Sequence, residues 1–259
     1  MSAMNELGMD VQVQIDTARL RQAGLMPEPE KDRQFAEHYR QIKRPLLARA
    51  AAGYEPGRAS QRVIMVASAL PGDGKSFTSF NLAVSMARER DQSVLLVDGD
   101  VANPVLSGAL GVSTWHGLME ALQDESLDAA DLIVPTSVRG LALLPAGKPD
   151  EGATELLASR RMVKIVATLL GSDPKRIILI DSPPLLISTE ARALLAIVGQ
   201  VVLVVRSAMT PRQAMLDALA LVGVERCAGL VLNDSHAQSS AGSYGYGDYG
   251  YSADVGNKS

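Results

Sequence analysis

One short segment, residues 68–76, constrains the fold more than any other part of this 259-residue sequence. It reads Ser-Ala-Leu-Pro-Gly-Asp-Gly-Lys-Ser, follows an apolar run at residues 63–67 and precedes a helical pattern at 76–88. This strand–loop–helix order with Gly-Lys-Ser is typical of a phosphate-binding P-loop, although Ala69 stands where the first glycine usually lies. The alternative is an ordinary glycine-rich turn between a strand and a helix.

The polar groups of this loop suit a nucleotide phosphate. Backbone N–H groups of such a loop point at phosphate oxygens, and Gly72 and Gly74 permit the close approach. The start of the helix adds free N–H groups and the positive end of its dipole. Lys75 would bring a positive charge to the terminal phosphates, and the Ser76 hydroxyl would bind Mg²⁺. The predicted nucleotide-binding residues of the loop are Gly72, Asp73, Gly74, Lys75, Ser76 and Phe77.

Short apolar runs alternate with helical patterns along most of the chain. Nearly continuous apolar runs indicate strands that are buried on both faces. The alternation predicts an α/β fold, with a doubly wound, mainly parallel sheet of the P-loop NTPase type. Ligands bind such sheets beyond the C-terminal ends of the strands. The predicted strands are residues 63–67, 94–97, 141–144, 177–180, 201–205 and 230–232, and the predicted helices are 76–88, 117–123, 154–170, 188–196 and 211–222.

The chain divides into three parts by composition. Residues 1–30 lack a sustained period and are expected to be a flexible N-terminal segment. Residues 31–235 should form the P-loop domain, which begins with a helix that Pro45 is expected to kink or split. Residues 53–57 are expected to be a linker. Residues 236–259 are rich in Ser, Gly and Tyr, cannot bury a core and should be disordered.

The composition restricts the partners and compartments that fit the chain. A formal net charge of -4 gives no support to a nucleic-acid partner, which usually requires a basic surface. The single cysteine, Cys227, excludes a disulfide framework and a multi-cysteine metal site within one chain. The first residues lack the basic and apolar pattern expected of a secretory signal, and the sequence has no apolar run of about 20 residues. We therefore expect a cytoplasmic protein that is recruited to the inner face of a membrane through a partner.

Three carboxylates directly follow two of the predicted strands. Asp98 and Asp100 come after residues 94–97, and Asp181 comes after residues 177–180. An acid at the end of a buried strand is typical of a Mg²⁺ ligand in phosphoryl-transfer proteins. A single such aspartate could equally be a helix N-cap or a turn residue. Three such aspartates in a chain with a P-loop favour a catalytic role over a structural one. One acid would bind the metal, and one would accept the proton of the nucleophile.

Four of the six tyrosines, Tyr244, Tyr246, Tyr249 and Tyr251, lie close together in the C-terminal segment. Tyrosines separated by Gly, Asp and Ser meet little steric hindrance and could enter a neighbouring active site. Each phosphate would add about −1.5 to −2 charges, so modified tails should leave an acidic cleft. The alternative is a low-complexity terminus that serves adhesion or has no role. The P-loop in the same chain favours a substrate tail.

Together these motifs resemble those of the bacterial tyrosine kinase family, often called BY-kinases, of exopolysaccharide and capsule export systems. The resemblance covers about residues 33–251 and is strongest to autokinases encoded with exopolysaccharide and exosortase systems. The matching segments are ALPGDGKS at residues 69–76, VLLVDGD at 94–100, IILIDSPP at 177–184, EHYRQIKRPLL at 37–47 and the tyrosine cluster.

The resemblance implies a deviant Walker ATPase-like fold for residues 31–235 and the activity of a non-specific protein-tyrosine kinase. Such an enzyme would use ATP and Mg²⁺ to phosphorylate the C-terminal tyrosine cluster in trans. The phosphorylation would regulate exopolysaccharide synthesis and export.

The resemblance also implies a role for each candidate catalytic residue. Lys75 and Ser76 would hold the phosphates and Mg²⁺. Asp98 would activate the tyrosine hydroxyl, while Asp100 and Asp181 would support the metal.

The family further implies a ring-shaped homo-oligomer and two protein partners. Its ring-forming motif corresponds to Glu37, Arg40 and Lys43, for which the alternative is an exposed helix face with intrahelical charge pairs. The implied partners are the cytoplasmic end of a membrane polysaccharide co-polymerase and a tyrosine phosphatase. Lys43 and Ala102 stand where the family often has arginine, and lysine cannot make the same bidentate contact. Asn233 corresponds to an adenine-facing asparagine, and its alternative role is a cap or turn.

Two other functions would use the same P-loop. A switch ATPase of the septum-positioning or partition type usually has a further lysine early in the loop, where this chain has Ser-Ala-Leu at residues 68–70. Such ATPases also often end in an amphipathic membrane helix rather than a Tyr/Gly tail. The third possibility is a scaffold that binds ATP without transferring phosphate. The single cysteine disfavours an iron–sulfur carrier.

Overall fold

The computed structural model describes residues 12–52 and 60–234. This part of the chain contains one seven-stranded sheet. The expected linker at 53–57 and the tyrosine cluster lie outside the described residues. The strands are β1 (Val63–Ser68), β2 (Ser93–Asp98), β3 (Val134–Pro135), β4 (Leu141–Leu144), β5 (Arg176–Asp181), β6 (Gln200–Arg206) and β7 (Cys227–Asn233).

Helices cover both faces of the sheet. They are α1 (Thr17–Gln22), α2 (Asp32–Ala51), α3 (Lys75–Ala87), α4 (Val105–Ala109), α5 (Leu118–Gln123), α6 (Ala153–Leu157), α7 (Arg160–Gly171), α8 (Thr189–Leu195) and α9 (Arg212–Val222), with 3-10 turns at Pro29–Lys31 and Ala129–Leu132. In the described part of the chain, no helix combines the length and the apolar character needed to cross a membrane.

The strands follow the order β3-β4-β2-β5-β1-β6-β7. All neighbouring pairs are parallel except β3 with β4, which is antiparallel. The chain leaves β1 towards β2 on one side and later returns to β6 on the other. Such a reversal opens a crevice at the C-terminal ends of the strands, where ligands bind in this class of sheet. The predicted doubly wound, mainly parallel α/β fold is therefore confirmed.

The strands are continuously apolar because each sheet face is covered by its own helical layer. In β1, Val63 and Met65 point into the core formed with α5 to α9, whereas Ile64 and Val66 point into the core formed with α1 to α4. All four side chains are fully buried. Burial of an aliphatic side chain of this size contributes about 1.5–3 kcal/mol, so β1 holds the following loop on a rigid base.

The expectation of a flexible N-terminal segment was wrong for residues 12–30. Val13 N–H donates to the carbonyl of Pro135, the last residue of β3, at 2.9 Å. Leu20 of α1 and Leu25 after it are 1% and 2% exposed in the core formed with α3. Single apolar side chains of this segment insert into the core on one face of the sheet. The segment therefore packs across that face as a strap, although it contains no long amphipathic helix.

Three local expectations also differ from the structure. The predicted helix at 154–170 is two helices, because Ser159 interrupts it and caps the second one by accepting from Met162 N–H at 3.3 Å. Helix α2 runs through Pro45 as one helix, so the split, one of the two outcomes expected there, does not occur. The short strand β3 has no counterpart among the predicted strands, since its two residues carry no periodic pattern.

Candidate active site

The predicted P-loop joins β1 to α3 and has the backbone geometry that its sequence requires. Gly72 and Gly74 have φ angles of +80° and +96°, a region that only glycine adopts readily. Gly74 is the N-cap of α3, and its carbonyl accepts from Thr78 N–H at 2.9 Å. The N–H groups of the first helical turn are therefore directed towards the crevice, as an anion site needs.

The three predicted carboxylates lie together beside this loop. Asp98 and Asp181 are paired residues at the ends of the neighbouring strands β2 and β5. Both are fully buried, whereas Asp100 is partly exposed. The Ser79 hydroxyl on α3 donates to Asp181 Oδ1 at 2.8 Å. Ser107 on α4 donates to Asp98 Oδ2 twice, from its N–H at 2.8 Å and its hydroxyl at 2.7 Å.

Burial changes the titration of this acidic group. It raises the pKa of Asp98 to about 7, with a further contribution from the charge of Asp181, although the Ser107 bonds oppose the shift. Burial also raises the pKa of Asp181 to about 6, against the lowering effects of nearby serine hydroxyls and Lys75. The pKa of Asp100 is raised by burial and lowered in part by Lys75. Two of these carboxyls thus titrate near neutral pH.

Lys75 is the P-loop cation that interacts with these acids, and its side chain is buried, with 7% of the residue exposed. Burial lowers its pKa, and the negative charges of Asp181, Asp100 and Asp73 act in the opposite direction. A buried amine surrounded by carboxylates keeps a charge that can meet the phosphates of a nucleotide.

A cleft of about 540 Å³ opens above these groups. Lys75, Ser76 and Asp100 line it, and so do residues from the strap and from the segments after β2 and β5. Ala102 also lines the cleft, so the position where the family often has arginine carries no side-chain donor here. The full lining is Ala23, Gly24, Leu25, Pro71, Gly72, Gly74, Lys75, Ser76, Phe77, Asp100, Ala102, Asn103, Val105, Pro183, Pro184, Ile187, Ser188 and Glu190.

The donor set fits the Mg²⁺ that the fold implies. Asp98 Oδ1 and Asp181 Oδ2 are buried and have no hydrogen-bond partner among the described residues. Buried carboxylate oxygens without partners are costly unless a cation or proton compensates them. Carboxylate and hydroxyl oxygens are the ligands that Mg²⁺ prefers. Asp181 is thus suited to hold the ion, and Ser76 and Asp100, which line the cleft beside it, are the candidates to complete the site.

The sequence did not predict the residues that hold the acids in place. Ser79 lies one helical turn after Lys75 on α3, so its spacing from the P-loop could have suggested it. Ser107 lies nine residues beyond Asp98 and carries no motif. Three strap residues that line the cleft, Ala23, Gly24 and Leu25, are not among the predicted site residues, because the sequence predicts a flexible segment there.

The other predicted site residues are distributed as follows. The Asn233 amide donates to the Asp73 carbonyl at 3.0 Å, which places it against the P-loop. Glu37 and Arg40 form an exposed ion pair within α2 at 2.9 Å. Tyr244, Tyr246, Tyr249 and Tyr251 lie outside the described residues.

Lys43 does not fit the expected ring contact. Its side chain is buried, and its ammonium donates to the Ser85 carbonyl at 2.7 Å and pairs with Glu89 at 2.7 Å. Because α2 packs on α3, the Lys43 side chain reaches the last turn of α3, where Ser85 lies. The prediction that Lys43 faces a neighbouring subunit is therefore corrected to an internal tie between α2 and α3.

The fold and the site define a P-loop nucleotide-binding protein of the doubly wound α/β class. No family model matches the chain. Tyrosine-protein kinase CpsD of Streptococcus agalactiae is 30% identical over 196 residues, which cover 73% of this chain and 82% of CpsD. The chain belongs to the bacterial tyrosine kinase family.

Two further similarities agree with this assignment. Tyrosine-protein kinase wzc of Salmonella typhimurium is 28% identical over 197 residues, 75% of this chain. The match spans only 26% of the length of wzc, about a quarter of that protein. The kinase domain of Escherichia coli tyrosine kinase ETK superposes with a TM-score of 0.67 at 25% identity, covering 82% of this chain and 80% of that domain.

Proposed function

We propose that the chain is an ATP-dependent protein-tyrosine kinase whose acceptors are its own C-terminal tyrosines, Tyr244, Tyr246, Tyr249 and Tyr251. One observation carries the proposal: the P-loop residues Lys75 and Ser76 share a cleft with Asp100, directly above the buried pair Asp98 and Asp181. Binding of a nucleotide alone does not require this many carboxylates, whereas phosphoryl transfer uses acids for both the metal and the proton.

The chain's own residues divide the work of the reaction. The loop N–H groups and Lys75 hold the phosphates of ATP in line with the incoming tyrosine. Ser76, Asp100 and Asp181 would hold Mg²⁺, which when bound neutralises charge on the phosphates. The tyrosine oxygen forms a bond to the γ-phosphorus, the bond from that phosphorus to the ADP oxygen breaks, and the tyrosine proton passes to a carboxylate.

Asp98 is our candidate for the proton acceptor. Its pKa of about 7 lies near the operating pH, where a general base is most effective. The carboxyl is fully buried, so the tyrosine reaches it only if the segment after β2 opens. Asp100 already lines the cleft, which suits the metal. We expect Asp98→Asn to abolish transfer but retain Mg-ADP binding, and Asp100→Asn to weaken Mg²⁺-dependent binding. If Asp98→Asn loses Mg-ADP binding and Asp100→Asn keeps it, Asp98 holds the metal and Asp100 accepts the proton.

We also propose that the kinase acts on other copies of the chain and is controlled by the partners that its family implies. The cytoplasmic end of a membrane polysaccharide co-polymerase would recruit and activate it, and a tyrosine phosphatase would oppose it. Assembly would use the exposed α2 face with Glu37 and Arg40, because Lys43 is committed internally. The resulting switch would regulate exopolysaccharide synthesis and export.

Intact-mass spectrometry after incubation with Mg-ATP tests the activity. We expect phosphate on the wild type and none on Lys75→Met. A variant with all four C-terminal tyrosines changed to phenylalanine should still turn over ATP slowly but gain no phosphate. Conversion of ATP to ADP without phosphotyrosine, even with the activator's cytoplasmic segment present, would instead support the switch ATPase.

A further inference from the structure

The phosphate-binding loop contains an acidic residue whose side chain is directed away from the phosphates. Asp73 is 3% exposed, although the loop that contains it serves to bind anions. Its Oδ2 accepts from Leu70 N–H within the loop at 3.2 Å. Its Oδ1 accepts from the Thr210 hydroxyl at 2.7 Å, a residue 137 positions further along the chain. One carboxylate oxygen is therefore held by a donor within the loop, and the other by a donor from a distant turn.

Thr210 is itself fixed by the turn that follows β6. Its hydroxyl accepts from Arg206 N–H at 2.9 Å, and its own N–H donates to the Arg206 carbonyl at 3.0 Å. The turn includes Ala208 at a φ of +57°, which is uncommon for a residue with a side chain. Because β6 is hydrogen-bonded to β1, this closed turn lies beside the strand that leads into the loop.

A second strand end holds the same loop residue. Asn233 at the end of β7 donates its amide N–H to the Asp73 main-chain carbonyl at 3.0 Å. The Ser207 N–H donates to the Asn233 carbonyl at 2.9 Å, which joins the two supporting strand ends to each other. Asp73 is thus tied by its side chain to the β6 turn and by its main chain to β7.

We infer that Asp73, Thr210 and Asn233 form a brace that positions the P-loop for the nucleotide. The brace keeps the Asp73 carboxylate away from the phosphates, which would otherwise meet a like charge inside their own binding loop. It also fixes the loop conformation before the nucleotide arrives, so that less order is lost on binding. Thr210 and Asp73 are positioning residues in this scheme, since neither side chain contacts the reacting atoms. The inference rests on the nucleotide-binding part of the proposed function.

Isothermal titration with Mg-ADP tests the brace without requiring kinase activity. A hydrogen bond to a charged group is strong enough that Thr210→Val should weaken Mg-ADP binding by about tenfold. Thr210→Ser keeps the hydroxyl and should bind as the wild type does. Thr168→Val, at an exposed position on α7, is the matched control for the same side-chain change and should have no effect.

A double-mutant cycle separates the brace from a general effect on the turn. In the Asp73→Ala background, Thr210→Val should cause no further loss of affinity, because its partner is already absent. In kinase assays Thr210→Val should raise the KM for ATP about tenfold and leave kcat within about threefold.

The brace is overturned if Thr210→Val binds Mg-ADP as tightly as the wild type, or if it weakens binding equally with and without the Asp73 carboxylate. It is also overturned if Thr210→Ser is as weak as Thr210→Val. A wild type that binds no nucleotide would refute the proposed function together with the brace, whereas normal wild-type binding with an inert Thr210→Val refutes the brace alone.

Discussion

Replacement of Asp98 by asparagine should stabilise the metal-free protein at alkaline pH. The carboxyl is fully buried at the end of β2, next to Asp181, and its Oδ1 has no partner among the described residues. Asparagine removes the buried negative charge but keeps an oxygen that can accept both bonds from Ser107. The substitution thus isolates the cost of the charge from the shape of the side chain.

The size of the effect follows from the raised pKa. The pKa of Asp98 rises from 3.8 to about 7 on folding. Between these values the unfolded chain has released the proton while the folded chain keeps it, so wild-type stability falls as the pH rises from about 4 to about 7. At about 1.4 kcal/mol for each pKa unit, the loss is about 1.6 kcal/mol at pH 5 and about 4 kcal/mol at pH 8. The asparagine variant does not have this loss.

Urea unfolding in EDTA at pH 5, 6.5 and 8 measures the difference. The stability advantage of Asp98→Asn over the wild type should grow across this series by about 2–3 kcal/mol. Asp124→Asn is the matched control, because its carboxyl is exposed and the Ser126 bonds lower its pKa instead. A variant that is no more stable than the wild type at pH 8, or whose advantage does not change with pH, would refute the argument.

Three further predictions concern the loop, the strap and α2. Gly74→Ala should weaken Mg-ADP binding at least tenfold in a calorimetric titration. Alanine at a φ of +96° costs about 1–2 kcal/mol, and its Cβ would collide with the Asn233 amide. Gly108→Ala is the control, because a Cβ at that position meets no other atom. Leu20→Ala should lower the free energy of unfolding by about 2–5 kcal/mol in urea, and a change below about 0.5 kcal/mol would mean that the strap is not packed. Lys43→Ala should lower the free energy of unfolding by about 1–3 kcal/mol, because its hydrogen bond to the Ser85 carbonyl is buried. The control Arg40→Ala removes an exposed ion pair and should lower it by less than about 1 kcal/mol. Equal losses of stability in thermal unfolding would contradict the internal tie.

The central sheet could be predicted from sequence because its signal is local. Each of the longer strands contains a continuous apolar run. Three of these strands lead directly into the P-loop or the acidic residues. Since parallel strands end at the same edge, the meeting of Lys75 with Asp98, Asp100 and Asp181 follows from the fold class. The structure agrees with this arrangement.

The remaining features depend on contacts between distant parts of the chain. Leu20 and Leu25 look isolated in sequence, and only the surface of α3 explains their burial. Lys43 has the spacing of an exposed charge, yet its long side chain reaches the Ser85 carbonyl 42 residues away. Asp73 matches a P-loop position, but its partner Thr210 lies in a turn without a motif. Such pairings are set by tertiary packing, which local patterns do not encode.

The proposed kinase transfers phosphate from the P-loop site of one chain to the tyrosines of another chain. A chain truncated after Ser243 keeps the P-loop but lacks the four tyrosines, whereas the 259-residue Lys75→Met chain keeps the tyrosines but lacks the P-loop lysine. The two are mixed with Mg-ATP, and the Lys75→Met chain is examined by intact-mass spectrometry and peptide mapping. We predict phosphate on that chain at Tyr244, Tyr246, Tyr249 or Tyr251. An unmodified Lys75→Met chain, under conditions in which the wild type is phosphorylated or ATP is consumed, would contradict the account.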